Sequence, residues 1–332
     1  MSILSILIYD CNLLTLRYWL KNRNIKTLYK KEAKEPCIHP GRIVVMANEK
    51  VHNGGLGDRL HGFISMYIFC HKHGYEFKIN NCFPFRLHDY LEPNNYDWDV
   101  EPEDIVYDLN VSEPLLMACT FKKYQGTAEQ EARFMNRYLL WRIKKNKGKE
   151  IHVYTNEHMA NSPAVYSKYF HRLFRPSKAL KDAVAQNKKR IGGQYISITL
   201  RFQNLFGDFY EGKYPTLSSE EQEALRKKVI GKIRELYAKY PKETRVLVTS
   251  DSRTFLDALK GEPYVYTIPG RIVHMSYSDN KEFDVHLKSF VDLMMLADAQ
   301  KLYLLVTEPM FHSGFAESAS FINNRPYEVI RF

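Results

Sequence analysis

Cysteine is scarce in this chain and badly placed for cross-links. Cys11, Cys37, Cys70, Cys82 and Cys119 make 5 in 332 residues. The number is odd, all five lie in the first part of the sequence, and no CxxC pair occurs. That excludes a disulfide framework and a cysteine zinc site. Long apolar runs are also missing: none comes near the roughly 20 uncharged residues that a membrane-spanning helix needs. The opening stretch from Met1 to Tyr9 is apolar, but it lacks a basic flank and a small-residue cleavage site and stops at Asp10. It therefore does not read as a signal peptide, and a cytoplasmic protein is expected. Internal repeats and low-complexity tracts are absent as well.

What is present is a globular composition with a basic surplus. Hydrophobic residues are 45% and charged residues 26% of the chain, which suits a folded protein rather than a disordered or fibrous one. A chain of 332 residues exceeds one ordinary core, so two domains with a cleft between them are expected. Lys and Arg number 48 against 38 Asp and Glu, a formal charge of +10, and such a charge favours an anionic partner. Nucleic acid is disfavoured, because basic clusters such as Lys144-Lys145-Asn146-Lys147 and Lys188-Lys189-Arg190 are short and flank predicted elements. Peripheral contact with an anionic membrane, at the inner face, is the secondary option.

Residues 1–40 mix apolar patches with a basic stretch and read as an extension packed on a first domain. That domain is placed at residues 41–180 and a second at 181–332. In the first, the β-branched run Arg42–Met46 predicts a strand and Gly62–His73 a helix after a glycine-containing turn. Phe134, Tyr138 and Trp141, interleaved with basic residues, fit an amphipathic helix. The second half alternates more clearly. Strands are predicted at Tyr195–Leu200, Arg245–Thr249, Tyr264–Ile268 and Leu302–Val306, with helices at Ser219–Lys239, Thr254–Lys260, Phe283–Ala299 and Gly314–Ile322. Repeated strand-then-helix order predicts an α/β fold with parallel sheets of the Rossmann kind.

In open parallel sheets, ligands bind beyond the carboxyl ends of the strands. Arg201 directly follows the strand Tyr195–Leu200, and Asp251 with Ser252 follows Arg245–Thr249. The turn His312-Ser313-Gly314, continuing into Phe315, opens the helix after Leu302–Val306. These types suit a nucleotide diphosphate sugar. Arg201 offers a fork of donors for a phosphate and for charge growing on a leaving diphosphate. The turn offers backbone N–H groups at a helix N-terminus. Asp251 and Ser252 suit a ribose or a base. The plainer alternative pairs Arg201 with Asp208 or Glu211 and makes Asp251 a helix cap. The first domain adds the glycine loop Asn53-Gly54-Gly55-Leu56-Gly57-Asp58-Arg59-Leu60-His61-Gly62, which permits close backbone approach.

These residues resemble a family. Gly54-Gly55-Leu56-Gly57-Asp58-Arg59-Leu60 ahead of an apolar helix is similar to the glycine motif of the α1,2-, α1,6- and protein-O-fucosyltransferases. Leu200-Arg201 resembles their His-x-Arg donor motif, Thr249-Ser250-Asp251-Ser252 their Ser-Asp motif, and His312-Ser313-Gly314-Phe315 their third motif. The resemblance spans about 54 to 316. It implies a GT-B fold, inverting transfer from GDP-fucose to a glycan acceptor, and no metal or other cofactor. It places Gly55, Gly57, Asp58, Arg59, His61, Arg201, Asp251, Ser252, His312, Ser313, Gly314 and Phe315 at the donor. Two departures bear on the sugar and linkage: the family's histidine is Thr199 here, and its second arginine is Phe202. An acceptor for the attacking hydroxyl's proton is sought among Asp58, His61, Asp208 and Glu211, with Asp208 preferred.

Rival expectations remain. Asp97-Trp98-Asp99 has the form of a metal-holding acidic pair. A donor other than GDP-fucose, and a non-catalytic basic protein that binds nucleic acid or lipid, are the other two. The aromatic-rich segment Phe83–Tyr96 is the expected lining of an acceptor pocket.

Overall fold

The computed structural model describes residues 23–51, 54–117, 128–158, 162–209, 214–273 and 281–332. The chain divides into two compact units. The first takes in residues up to Gly54, Asp58–Leu87 and Pro93–Phe174, and the second takes in Gly55–Gly57, His88–Glu92 and Arg175–Phe332. Cys11, Cys119, Asn53 and Glu211 lie outside the described residues.

The first unit is built on a parallel four-stranded sheet. Its strands are β1 (Ile43–Ala47), β2 (Phe77–Asn81), β4 (Ser112–Leu116) and β5 (Glu150–Tyr154), in the order β2-β1-β5-β4. Every residue of β1 and β5 is buried, as expected of strands covered on both faces. The helix after β1, α1 (Leu56–His73), starts earlier than the sequence predicts and runs through Gly62. A Cβ at Gly62 would clash with the Thr155 carbonyl oxygen. Glycine there permits the helix to seat against the end of β5, despite its cost of about 1 kcal/mol in a helix interior. The amphipathic segment forms α2 (Ala128–Lys145), and α3 (Pro163–Leu173) follows β5. Ile25 and Tyr29 pack with Val44, Met46, Leu116 and Tyr154 in one core cluster, so the start of the described chain covers one face of this sheet.

Two short strands, β3 (Leu91–Pro93) and β6 (Phe174–Pro176), pair with each other. The second unit's sheet is parallel and five-stranded. Its members are β7 (Tyr195–Leu200), β8 (Arg245–Ser250), β9 (Val265–Tyr266), β10 (Leu302–Val306) and β11 (Tyr327–Arg331), in the order β11-β10-β7-β8-β9. Ile196, Ile198 and Leu200 share a core with Leu225, Val229, Ile233 and Leu236 of α5 (Ser219–Tyr237) and with Phe255 and Leu256 of α6 (Arg253–Ala258). Side chains alternate along a strand, so Tyr195, Ser197 and Thr199 face the other way. There Tyr195 donates to the Met295 carbonyl of α7 (Phe283–Asp298) at 2.7 Å. α4 (Lys178–Ile191) and α8 (Phe315–Ile322) pack on α7. The two basic clusters fall in or just past the last turns of α2 and α4, where cations offset the helix dipole.

The strand order reverses between β7 and β10. Both strand directions and this switch point follow the doubly wound rule, which puts a ligand crevice beyond the carboxyl ends of β7 and β10. Two parallel α/β sheets of this build are the GT-B-like class expected from the sequence. β9 is shorter than predicted, because its register with β8 extends over Val265 and Tyr266 alone.

Candidate functional site

Arg201 stands where β7 ends, at the switch point. Its Nε lies 3.2 Å from Asp251 Oδ2, and its guanidinium sits 4.8 Å from the centre of the Phe209 ring. Asp251, at the end of β8, is 5% exposed. It also accepts from the backbone N–H of Phe202 at 2.8 Å and of Gln203 at 2.6 Å. Gln203 has φ +55°, a left-handed conformation that needs such anchoring in a residue with a side chain. The Arg201 carbonyl in turn accepts from Phe311 N–H at 3.0 Å, which ties the loop after β7 to the loop after β10. Burial pushes the Asp251 carboxyl upward, while Arg201 and the two N–H groups pull the other way. Among the described residues Arg201 pairs with Asp251; of the two partners the sequence offers, Asp208 is engaged by Ser252 and Thr254, and Glu211 lies outside the described residues. Asp251 fixes the turn after β7 through these contacts.

Ser252 and Asp208 work together at the next helix. Ser252 Oγ accepts from Phe255 N–H at 3.1 Å, and Asp208 Oδ2 accepts from Thr254 N–H at 2.6 Å and from Ser252 Oγ at 3.0 Å. Asp208 is thus positioned by α6, with Oδ2 engaged. After β10, Phe315 N–H donates to Ser313 Oγ at 3.2 Å, and His312 Nδ1 lies 3.2 Å from an Arg331 nitrogen. Gly314 is the N-cap of α8, has no capping side chain and is exposed. Apart from Phe315 N–H, which Ser313 holds, the backbone N–H groups of that first turn have no intrahelical acceptor, an arrangement that suits an anion.

Two residues here carry no sequence signal. Gln203 is buried, and its Nε2 has no hydrogen-bond partner. Asp292, on α7, is buried against Lys288 Nζ at 2.5 Å, and its Oδ1 has no partner. Burial pushes Asp292 up, and Lys288 and Arg253 oppose it. Arg253, the residue after Ser252, donates to the Gly270 carbonyl beyond β9, and a Cβ at Gly270 would lie 2.8 Å from Lys288 Cγ. Asp292 thus belongs to the same carboxyl edge, on the β8–β9 side.

The glycine motif forms a turn into α1. Gly54 has φ +73°, and a Cβ there would lie 2.8 Å from Asp58 Oδ2. Gly55–Gly57 belong to the second unit, where a Cβ at Gly57 would lie 2.6 Å from Ser318 Oγ of α8, while a Cβ at Gly55 would meet nothing. Asp58 is exposed in the first turn of α1. Arg59 is buried, donating to the Gly54 carbonyl at 3.2 Å, Asn81 Oδ1 at 3.0 Å and the Phe83 carbonyl at 2.6 Å. It holds the turn's shape with the same donors a phosphate would need.

His61 is buried with its ring 4.1 Å from that of His158 and 5.0 Å from that of Tyr166. Burial, with His158 adding to it, pushes the imidazole down to about 3, so His61 is neutral near pH 7. The unfolded chain takes up a proton at this site below its ordinary value of 6.5, and the native state does not do so until about pH 3. Stability therefore falls as pH drops through that window, by roughly 1.4 kcal/mol per pH unit from this group. His61→Phe is expected to flatten the urea-derived stability slope between pH 6 and 4 by about that amount. An unchanged slope would mean that His61 is protonated in the native state.

Asp97 and Asp99 are each held by a cation, Lys78 Nζ at 2.9 Å and Arg86 Nη2 at 2.9 Å. Among the described residues no group of His, Cys, Asp and Glu is arranged to hold a metal ion, and no helix is long and apolar enough to cross a membrane. In the segment expected to line an acceptor pocket, Phe85 and Tyr90 are buried. Tyr90 stacks on Phe290 and Phe283 at 4.4 and 4.8 Å, so these rings serve as core.

No protein-family model matches the sequence, and no curated protein matches it. Solved structures do match in fold. The α-1,6-fucosyltransferase NodZ of Bradyrhizobium, soaked with GDP-fucose, is 17% identical with a TM-score of 0.53, over 88% of this chain and 94% of that one. Its crystal with GDP gives 15% and 0.51, over 84% and 91%. A point mutant of Arabidopsis thaliana FUT1, in complex with GDP, is 12% identical with a TM-score of 0.53, over 98% of this chain and 78% of that one. The chain has the GT-B-like α/β fold of these fucosyltransferases.

Proposed function

We propose that the chain is an inverting glycosyltransferase that moves fucose from GDP-fucose to a hydroxyl of a glycan acceptor without a metal ion. The observation that carries this is Arg201, fixed at the β7–β10 switch point by Asp251 and joined through its carbonyl to Phe311 in the loop that leads to α8. In the reaction the acceptor oxygen bonds to the anomeric carbon, the bond from that carbon to the β-phosphate oxygen breaks, and GDP leaves with growing negative charge. Arg201 and the N-terminus of α8, with His312, Ser313, Gly314 and Phe315, meet that charge. The acceptor's proton passes to Asp208, whose Oδ2 is tied to Ser252 and Thr254 and whose Oδ1 has no partner among the described residues, or to Glu211 on the same loop. The turn at Gly55 and Gly57 borders the donor.

Guanine presents two N–H donors side by side, and a carboxylate accepts both. Asp292 is the buried carboxylate with an oxygen to give. The charge of +10 suits an acceptor carried at an anionic membrane face, such as a bacterial surface polysaccharide under construction at the cytoplasmic side.

One observation favours a second donor, such as GDP-mannose. Thr199 is paired to Thr249 at 3.0 Å and Phe202 is packed on Phe206 and Phe255, so neither replaces the family's histidine or second arginine as a ligand contact. Product formation across GDP-fucose, GDP-mannose and UDP-sugars decides between them. Binding is read by thermal shift, in which GDP at 100 times its Kd adds about 2.7 kcal/mol of stability while UDP and RNA add little. An unmoved Tm with GDP would sink the proposal. Turnover is expected to persist in EDTA, and loss restored by manganese would return the case to Asp97 and Asp99.

A further inference from the structure

One face of the first unit's sheet carries a hydrogen-bonded chain of side chains. Arg42 Nε lies 2.5 Å from Glu150 Oε2, and Glu150 Oε1 lies 2.6 Å from His152 Nε2. His152 Nδ1 is 2.8 Å from the Tyr29 hydroxyl, which is 3.0 Å from that of Tyr154. Tyr154 bonds the Asn48 side chain, and Asn48 Nδ2 donates to the Tyr107 hydroxyl at 3.0 Å. Asn80 Nδ2 reaches the same hydroxyl at 3.4 Å. β5 supplies Glu150, His152 and Tyr154 at alternate positions, and the chain runs from the start of that strand to the carboxyl edge of the sheet.

The two ends of the chain set the directions of its bonds. Burial opposes the charge on Glu150, but His152 and Arg42 outweigh it and hold the carboxyl below its ordinary range. An ionised Glu150 only accepts, so His152 donates to it from Nε2, and the bonds beyond Nδ1 are set from the Asn48 end. Tyr29 then accepts from Tyr154, and Tyr154 accepts from Asn48. The Asn48 amide cannot be turned, because its Oδ1 accepts from Lys50 N–H at 3.1 Å. Its two amide hydrogens go to Tyr154 and Tyr107. An amide that donates both ways cannot pass a proton on, so the chain is a positioning device and not a proton wire.

At the carboxyl edge the chain ends with groups unmet. The Tyr107 oxygen accepts from Asn48 and Asn80, and its own hydrogen has no acceptor among the described residues. Asn80 is 1% exposed and its Oδ1 has no partner. Turning the Asn80 amide would give Tyr107 an acceptor at 3.4 Å and strand the amide hydrogens instead. Burial pushes the Tyr107 phenol up to about 12, so it is a donor at any physiological pH. Its ring is set between Lys50 Nζ at 4.9 Å and the Tyr29 ring at 5.3 Å, and its edge is half-buried. One donor and one acceptor side by side complement a hydroxyl group, which is both.

We propose that Tyr107 and Asn80 form a site for a carbohydrate hydroxyl of the acceptor, held in place by the chain that starts at Glu150. The assignment of that hydroxyl to an acceptor rests on the glycosyl-transfer proposal. The test measures binding of methyl β-galactoside, methyl β-N-acetylglucosaminide and methyl α-mannoside to the whole chain, with and without GDP, in the wild type and in Tyr107→Phe. At least one glycoside is expected to bind, and Tyr107→Phe to weaken it about tenfold, the loss of one hydrogen bond. GDP affinity is expected to be unchanged, and the His152 ring nitrogens to keep their tautomer by nitrogen NMR. Equal glycoside affinity in wild type and variant, no binding by any of the three, or a crystal structure with a water alone at Tyr107 in the presence of glycoside would overturn the site. Glycoside binding that is lost in Tyr107→Phe, in a protein that GDP does not bind, would sink the donor proposal and the acceptor assignment with it, while the carbohydrate-hydroxyl site at Tyr107 and Asn80 stands.

Discussion

Arg201→Ala is expected to lower kcat/KM by at least about 100-fold, the order lost when one preorganised electrostatic group is removed from a developing charge. The side chain is held before substrate arrives, by Asp251 at its Nε and by the Phe209 ring against its plane, so little reorganisation is needed as the diphosphate departs. Lysine should restore only part of the rate, since a point charge does not reproduce a two-pronged phosphate contact. The fold should survive at a cost of about 1–3 kcal/mol. That is more than an exposed pair would give, because Asp251 is buried, but Asp251 keeps the N–H groups of Phe202 and Gln203. Unchanged turnover in a folded Arg201→Ala protein would remove the donor site proposed here.

The second unit was legible because its chemistry and its periodicity coincide. β7 and β10 are found at the bounds that the sequence predicts, and the rule for parallel sheets then puts Arg201, Asp251 and the turn at His312 on one edge without any coordinates. In the first unit β1 was readable as a β-branched run. By contrast β2, with Lys78, Asn80 and Asn81, and β5, with Glu150 and His152, carry polar residues that hide a buried strand. Glu150 and His152 are buried because Arg42 and Tyr29 satisfy them. Such pairing depends on residues over 100 positions apart, and no local pattern records it.

The roles of individual site residues were less legible than their positions. Asp251 and Ser252 were placed at the correct edge, but a carboxylate after a strand has several partners within reach. Only the conformation of Gln203 decides that Asp251 serves the turn. Arg59 was placed by its motif, yet what sets its partners is the fold of Asn81 and Phe83 around it. Asp292 falls inside an apolar helix that reads as core, where a lone acid invites the bland view of a helix ion pair with Lys288. Its unmet Oδ1 is a fact of packing.

Asp292→Asn is therefore the second variant with a large expected effect, on nucleotide choice rather than on rate. A carboxylate can accept from both N–H groups of guanine with the gain of a charge-assisted bond, whereas asparagine offers one oxygen and sets its own N–H2 against a donor. Losing a charge-assisted bond costs about 1.5–3 kcal/mol, so GDP affinity should fall by about 10- to 100-fold while UDP affinity scarcely moves. The variant also deprives Lys288 of its buried counter-ion, and breaking such a pair can cost about 3–5 kcal/mol of stability. Lys288→Met combined with Asp292→Asn removes the stranded charge and should recover much of the Tm without recovering GDP binding. The ratio of the two dissociation constants is insensitive to how much protein is folded, so it isolates recognition from stability. An equal loss for GDP and UDP, or none for either, would make Asp292 a structural residue of α7 and leave the base to be read elsewhere along the edge of β8 and β9.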